Sequence, residues 1–207
     1  MKLDLSRKDL HIKEVAKAAL RDEEFLSELI RNLKTKQETI RSNSSRVLNF
    51  ICETNPEVLY PDWDYFFELL EGDNTYWKCS AIPLIANLTR VDKDKKFETN
   101  FEKYFDLMND RSFIPAAYVA RSAAIIVDAK PKLRTKITEK LLGIDETRHD
   151  PQRRDLVKSD IIEAFDKYFE KAENKRQIIE FVRLQLDCDS PKTRKTATKF
   201  LKKWEAK

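Results

Sequence analysis

LLEGDNTYWKCSAIPLIANL, residues Leu69–Leu88, holds a tryptophan, a cysteine and a proline inside an otherwise helical pattern. Trp77, Ala81, Leu84 and Leu88 fall at i, i+4, i+7 and i+11 and so line one side of a helix. The same spacing recurs as Ile40, Ser44, Val47, Ile51, then as Phe113, Ala117, Ala120, Ala124. It returns as Val157, Ile161, Ala164, Tyr168 and again as Thr193, Ala197, Phe200, Trp204. Successive stripes begin 37, 36, 44 and 36 residues apart, so Trp77 occupies a slot in a repeat. On this reading Trp77 packs and Cys79 is incidental. Pro83 points off the stripe and is expected to bend the helix beside a groove.

Helical periodicity extends over segments near 6–20, 22–34, 37–54, 57–71, 75–90, 94–108, 112–129, 131–142, 152–170, 173–186 and 190–204. The chain has 207 residues and two glycines, Gly72 and Gly143. That scarcity excludes phosphate-cradling loops, dinucleotide fingerprints and nucleophile elbows, all of which need glycine where backbone meets ligand. A charged fraction of 37% suits helices with one wet face. No apolar run is long enough for a membrane span and no signal segment opens the chain, so a cytoplasmic protein is expected. Cys52, Cys79 and Cys188 are dispersed with no CxxC pair, as in reduced thiols.

Each stripe is preceded by recurring turn features. Leucine-type pairs (Leu69-Leu70, Leu107-Met108, Leu141-Leu142) end the preceding helix, and Asp73, Asp110 and Asp189 follow as expected helix caps. A cation follows the first stripe residue at Arg41, Lys78, Lys158 and Arg194, with Ile114 the exception. The form "leucine pair, Asp turn, apolar-[Arg/Lys]-x-x-small" resembles the HEAT repeat of the armadillo-type superfamily, most closely in LDCDSPKTRKTATKFL (Leu186–Leu201) and Leu69–Ile85. The resemblance implies an all-α fold, a right-handed α-α superhelix (α-solenoid) of about five helix pairs behind an N-terminal capping helix. It would form a single domain over residues 1–207, with repeats near 22–54, 57–91, 94–129, 131–170 and 173–204. It also implies Asp–cation links between repeats, at Asp73/Lys78 and Asp189/Arg194. The longer 44-residue step is expected to sit in the polar stretch GIDETRHDPQ, residues 143–152.

No catalytic, cofactor or metal site is expected. His11 and His149 have no ligand partner at metal spacing, and the carboxylates beside Trp63 and Cys188 sit where capping explains them. Phe66 and Phe67 are expected in the core, and Tyr60, Trp63 and Tyr65 half-exposed. Net charge is +4, but Ser190–Lys207 carries seven cations and one acid, which leaves the rest of the chain at −2. The last helix therefore either caps the array with a charged face or offers a basic surface to an acidic partner.

These features favour a non-catalytic protein-interaction scaffold whose groove is lined by the second helix of each pair. Residues phased toward that groove are Ser42, Arg46, Asn49, Pro83, Asn87, Ser122, Lys195, Lys199 and Lys202. The expected partner is a protein or an acidic peptide, with no membrane involved. The alternative is nucleic-acid binding through the basic C-terminal helix, since some HEAT-like proteins are alkylpurine DNA glycosylases. No tryptophan here has an Asp one turn later, as a lesion-binding wall would need.

Overall fold

The computed structural model describes residues 4–7 and 9–205, and among them every regular element is helical, with no strand. The chain divides into two compact units, Met1–Lys93 and Asp94–Lys207.

The first unit contains α1 (Ile12–Ala19), α2 (Glu23–Arg31), α3 (Glu38–Thr54), α4 (Pro56–Leu59), α5 (Trp63–Glu71) and α6 (Thr75–Leu88). Helix α3 packs against both α1 and α6, and α5 packs against α6. The segment expected as one helix near 57–71 is split by a 3-10 turn at Tyr60–Asp62, because Pro61 cannot donate to the helical ladder. Val47, Ile51, Trp63, Phe66, Leu84 and Leu88 are fully buried. Trp63 thus lies in the core beside Phe66, in an edge-on pair with Tyr60, and not half-exposed as its polar edge implied. Of the expected N-terminal helix near 6–20, residues 12–19 are helical, and Lys8 lies outside the described residues.

The second unit contains α7 (Lys96–Thr99), α8 (Phe101–Phe105), α9 (Phe113–Ala129), α10 (Arg134–Leu142), α11 (Pro151–Tyr168), α12 (Lys175–Leu184) and α13 (Pro191–Trp204). Helix α11 packs against α9 on one side and α13 on the other. Ala116, Ala117, Ala120, Ala123 and Ala124 of α9 are buried, and their small side chains let the α11 axis come close. The helix expected near 94–108 is interrupted at Asn100, whose side-chain amide joins its own backbone N–H on the Lys96 carbonyl, at 2.8 and 3.2 Å. Before it, Lys95 takes a left-handed conformation (φ 57°). Three of these helices end alike: 3-10 turns follow α8, α10 and α12 at Asp106–Asn109, Gly143–Glu146 and Gln185–Asp187.

Within each unit, bonds between elements join residues at a recurring separation. In the first, Cys52 Sγ donates to the Leu84 carbonyl, Tyr60 Oη to Asp92 and Arg90 to the Glu53 carbonyl, at separations of 32, 32 and 37 residues. In the second, Lys130 reaches Glu98, Arg134 reaches Glu173, and Trp204 Nε1 donates to Asp166, at 32, 39 and 38 residues. The stripes explain this spacing. Their second and third residues (Ser44/Val47, Ala81/Leu84, Ala117/Ala120, Ile161/Ala164, Ala197/Phe200) are buried in all five helices, while Ile40, Trp77 and Phe113 at the first position are half-buried.

The turn chemistry differs from the expected Asp caps by a residue or two. Asn74 caps α6, accepting from the Tyr76 and Trp77 amides; Ser112 caps α9 and Ser190 caps α13. Asp110 supports the turn one step earlier, accepting from the Ser112 amide at 3.0 Å. Pro83 is accommodated inside a continuous α6, and Pro115 falls in the first turn of α9.

Candidate functional site

The residues phased toward a groove separate into three groups. On α3, Ser42 and Arg46 are exposed, whereas Asn49 is half-buried and its amide donates to the Ser45 carbonyl at 2.8 Å. On α6 and α9 the expectation is corrected. Asn87 is buried, folding its amide back to the Pro83 carbonyl at 2.9 Å, and Ser122 is buried against the Tyr104 hydroxyl. Burial pushes the Tyr104 phenol far above its usual range, against the lowering effect of the Ser122 hydrogen bond. Pro83 itself is half-buried. Neither Asn87 nor Ser122 can meet a partner.

Lys195, Lys199 and Lys202 are all exposed on α13 and form no ion pair among the described residues. The helix holds them there because Thr193, Ala197, Phe200 and Leu201 face inward. Lys195 and Lys199 line a groove of about 230 Å3 between α11 and α13, opposite Glu163 and Asp166 of α11. Its apolar floor is Ile162 and Phe200. The Asp166 carboxyl is fixed at one end, accepting from Lys203 Nζ and Trp204 Nε1, each at 2.7 Å. Burial pushes this carboxyl upward, but those two bonds together with the nearby charges of Lys203 and Lys199 outweigh it and lower its pKa.

One turn earlier on the same face lies a cluster that phase reasoning did not select. Asp160 of α11 has a side chain only 4% exposed, and it meets Arg121 Nη2 of α9 at 3.0 Å and Lys192 Nζ of α13 at 3.1 Å. The two cations take different oxygens of one carboxylate, and each is 55% exposed. The Arg121 guanidinium also lies 5.6 Å from the Tyr118 ring centroid. A readable signal existed: Asp160 stands among Val157, Ile161 and Ile162, where a buried acid needs a cationic partner from a neighbouring helix.

The remaining chemistry-bearing residues are structural. His149 is buried with Nε2 3.0 Å from the Met108 carbonyl, and the adjoining Arg148 amide donates to Asn109 at 2.8 Å. Together they tie the polar stretch 143–152 to the end of the 3-10 turn after α8. Burial raises the Cys52 thiol to about 12, so it is not a nucleophile at neutral pH. Trp77 lies half-buried, against Gly72 and under the Lys34 ammonium 5.5 Å from its ring. Among the described residues no three metal-ligating side chains converge, and no helix is long and apolar enough to cross a membrane. No known family, curated protein or solved structure matches this chain.

Proposed function

We propose that the protein is a non-catalytic binding module whose units are built of HEAT-like helix pairs and whose second unit holds an acidic segment of a partner protein. The repeat reading draws support from the recurring separation of inter-element bonds within each unit. It also draws support from the cation slot. Arg41 donates to the Thr35 carbonyl at 2.9 Å, and Arg194 donates to the Cys188 carbonyl at 2.6 Å, each closing its own turn six residues back. These bonds stay inside one repeat. The inter-repeat bond at this slot runs instead from the Asp189 amide to Asp155, at 3.3 Å.

The observation that carries the functional reading is the α11/α13 groove. Lys195 and Lys199, exposed and in no salt bridge among the described residues, stand over an apolar floor of a size that takes one aliphatic or aromatic side chain. Cations beside an apolar slot suit an amphipathic acidic peptide. The cations of this groove are interrupted by Glu163 and Asp166 and form no continuous strip, so they suit a ligand of a few spaced acids around an apolar side chain better than a continuous phosphate backbone.

Fluorescence anisotropy with a labelled peptide of Glu, Asp and Leu tests this, with a labelled oligothymidine of equal charge as comparison. Saturable peptide binding is expected, weakened about tenfold by the double variant Lys195→Glu/Lys199→Glu, which corresponds to about 1.4 kcal/mol. Peptide affinity unchanged in that variant, or tighter binding of the oligonucleotide, refutes the reading.

A further inference from the structure

We infer that Arg121 and Lys192, held on Asp160, form an anchor for a single carboxylate one helical turn N-terminal of the α11/α13 groove. Three consecutive packed helices contribute to it: α9 gives the guanidinium, α11 the buried acid and α13 the ammonium. One cation would balance the charge of one carboxylate. Here two cations share it, leaving a local charge of +1, and more than half of each cationic side chain faces water. Both groups are already oriented, Arg121 by Asp160 and the Tyr118 ring, so a ligand carboxylate meets donors whose ordering cost is met in the free protein. The charge selects the ligand. A monoanionic carboxylate neutralises the site, whereas a phosphate dianion would leave excess negative charge next to the buried Asp160.

Leu156 refines the ligand class. It lies one turn before Asp160 on α11 and is 47% exposed, so it gives the anchor an apolar border. The ligand is therefore a Glu or Asp side chain with an aliphatic neighbour. It sits beside the residues that meet Lys195 and Lys199. This rests on the acidic-segment reading, yet it can fail separately from it.

The test uses single variants of the full chain. Arg121→Gln and Lys192→Gln each leave Asp160 one cation, so both fold, and Lys132→Gln removes an exposed cation remote from the site as a charge control. With the Glu/Asp/Leu peptide, each site variant is expected to weaken binding about fivefold and the control less than about twofold. In parallel, N-acetyl-glutamate amide is titrated into isotope-labelled protein. The Arg121 and Lys192 side-chain signals are expected to shift at lower concentration than those of Lys195, Lys199 and Lys202, and to shift less with inorganic phosphate. Peptide binding indifferent to Arg121→Gln and Lys192→Gln overturns the anchor but not the acidic-segment reading. Absence of peptide binding with preferential Arg121 and Lys192 shifts retains the anchor and overturns that reading. Uniform shifts across all five cations, or stronger shifts with phosphate, overturn the anchor.

Discussion

Replacing Lys158 by Met tests how the cation slot supports the second unit. The Lys158 side chain is 10% exposed, and its ammonium lies 2.8 Å from Asp145 and 3.2 Å from Asp155. Asp155 is itself 13% exposed, accepts from the Asp189 amide on Oδ2, and offers its carbonyl to Thr193 Oγ1 at 2.5 Å. Met keeps the stem and removes the charge, so the loss is electrostatic and not a cavity. Stripping one partner from a fully buried pair costs about 3–5 kcal/mol. Here Asp155 keeps one N–H donor and Asp145 is half exposed and rehydrates, which brings the expected loss to about 2 kcal/mol. With a urea m-value of about 2 kcal/mol/M, the midpoint falls by about 1 M. Urea titration followed by far-UV circular dichroism and by emission from Trp204, the one tryptophan after residue 93, reads this shift in the second unit. Asp145→Asn should cost less than about 1 kcal/mol because that partner is exposed. If Lys158→Met matches the wild type, or if Asp145→Asn costs as much, the slot does not hold the turn as described.

Two other perturbations have opposite signs. Ser44 fills the small slot of the α3 stripe, fully buried, and its hydroxyl has no hydrogen-bond partner among the described residues. Ser44→Ala removes that orphan group and raises helix propensity, so stability should rise by about 1 kcal/mol, read as a higher urea midpoint. Glu102 bonds Lys136 and Lys140, and those hydrogen bonds hold its carboxyl down at about 2, against a usual value near 4.5. The folded value is the lower one. Its contribution is therefore complete above the unfolded value and is lost as pH falls from about 4.5 to about 2. Carboxyl-carbon titration by NMR should give Glu102 the low value, and Lys136→Ala/Lys140→Ala should return it to the usual range.

Much of the helical framework was legible because apolar spacing responds to only one thing, the 3.6-residue turn. The five stripes predicted which sides of α3, α6, α9, α11 and α13 are buried, and the inner positions are buried in every case. Where prediction failed, a proline had interrupted the ladder, as at Pro61, or a polar side chain had competed with the backbone or with water. Asn100 cut the helix near 94–108 by bonding the Lys96 carbonyl, and Asn74, Ser112 and Ser190 took the caps assigned to neighbouring aspartates. Asn87 and Ser122 sit beside the stripe on the wheel, so a small rotation decides between groove and core, and packing turned both inward. On α13 the charged residues are so numerous that phase was unambiguous, and Lys195, Lys199 and Lys202 are exposed as expected. Arg121 and Lys192 became recognisable only through Asp160, because a buried acid is a three-dimensional fact about what its neighbours supply.

The tie between His149 and Met108 bears on how such a chain can be rebuilt. The eight residues between α10 and α11 look like slack that a designer could trim. His149 and Arg148 instead fasten that stretch to backbone and side chain some forty positions upstream. Trimming it would strip a buried imidazole and two hydrogen bonds from the far side of the preceding helix pair. Splice points for exchanging or duplicating a helix pair therefore belong at short junctions such as Lys130 or Ala172, where chain direction is set by backbone bonds to Ile126 and Phe169 within the same pair. The longest loop of the second unit is thus a fastened one.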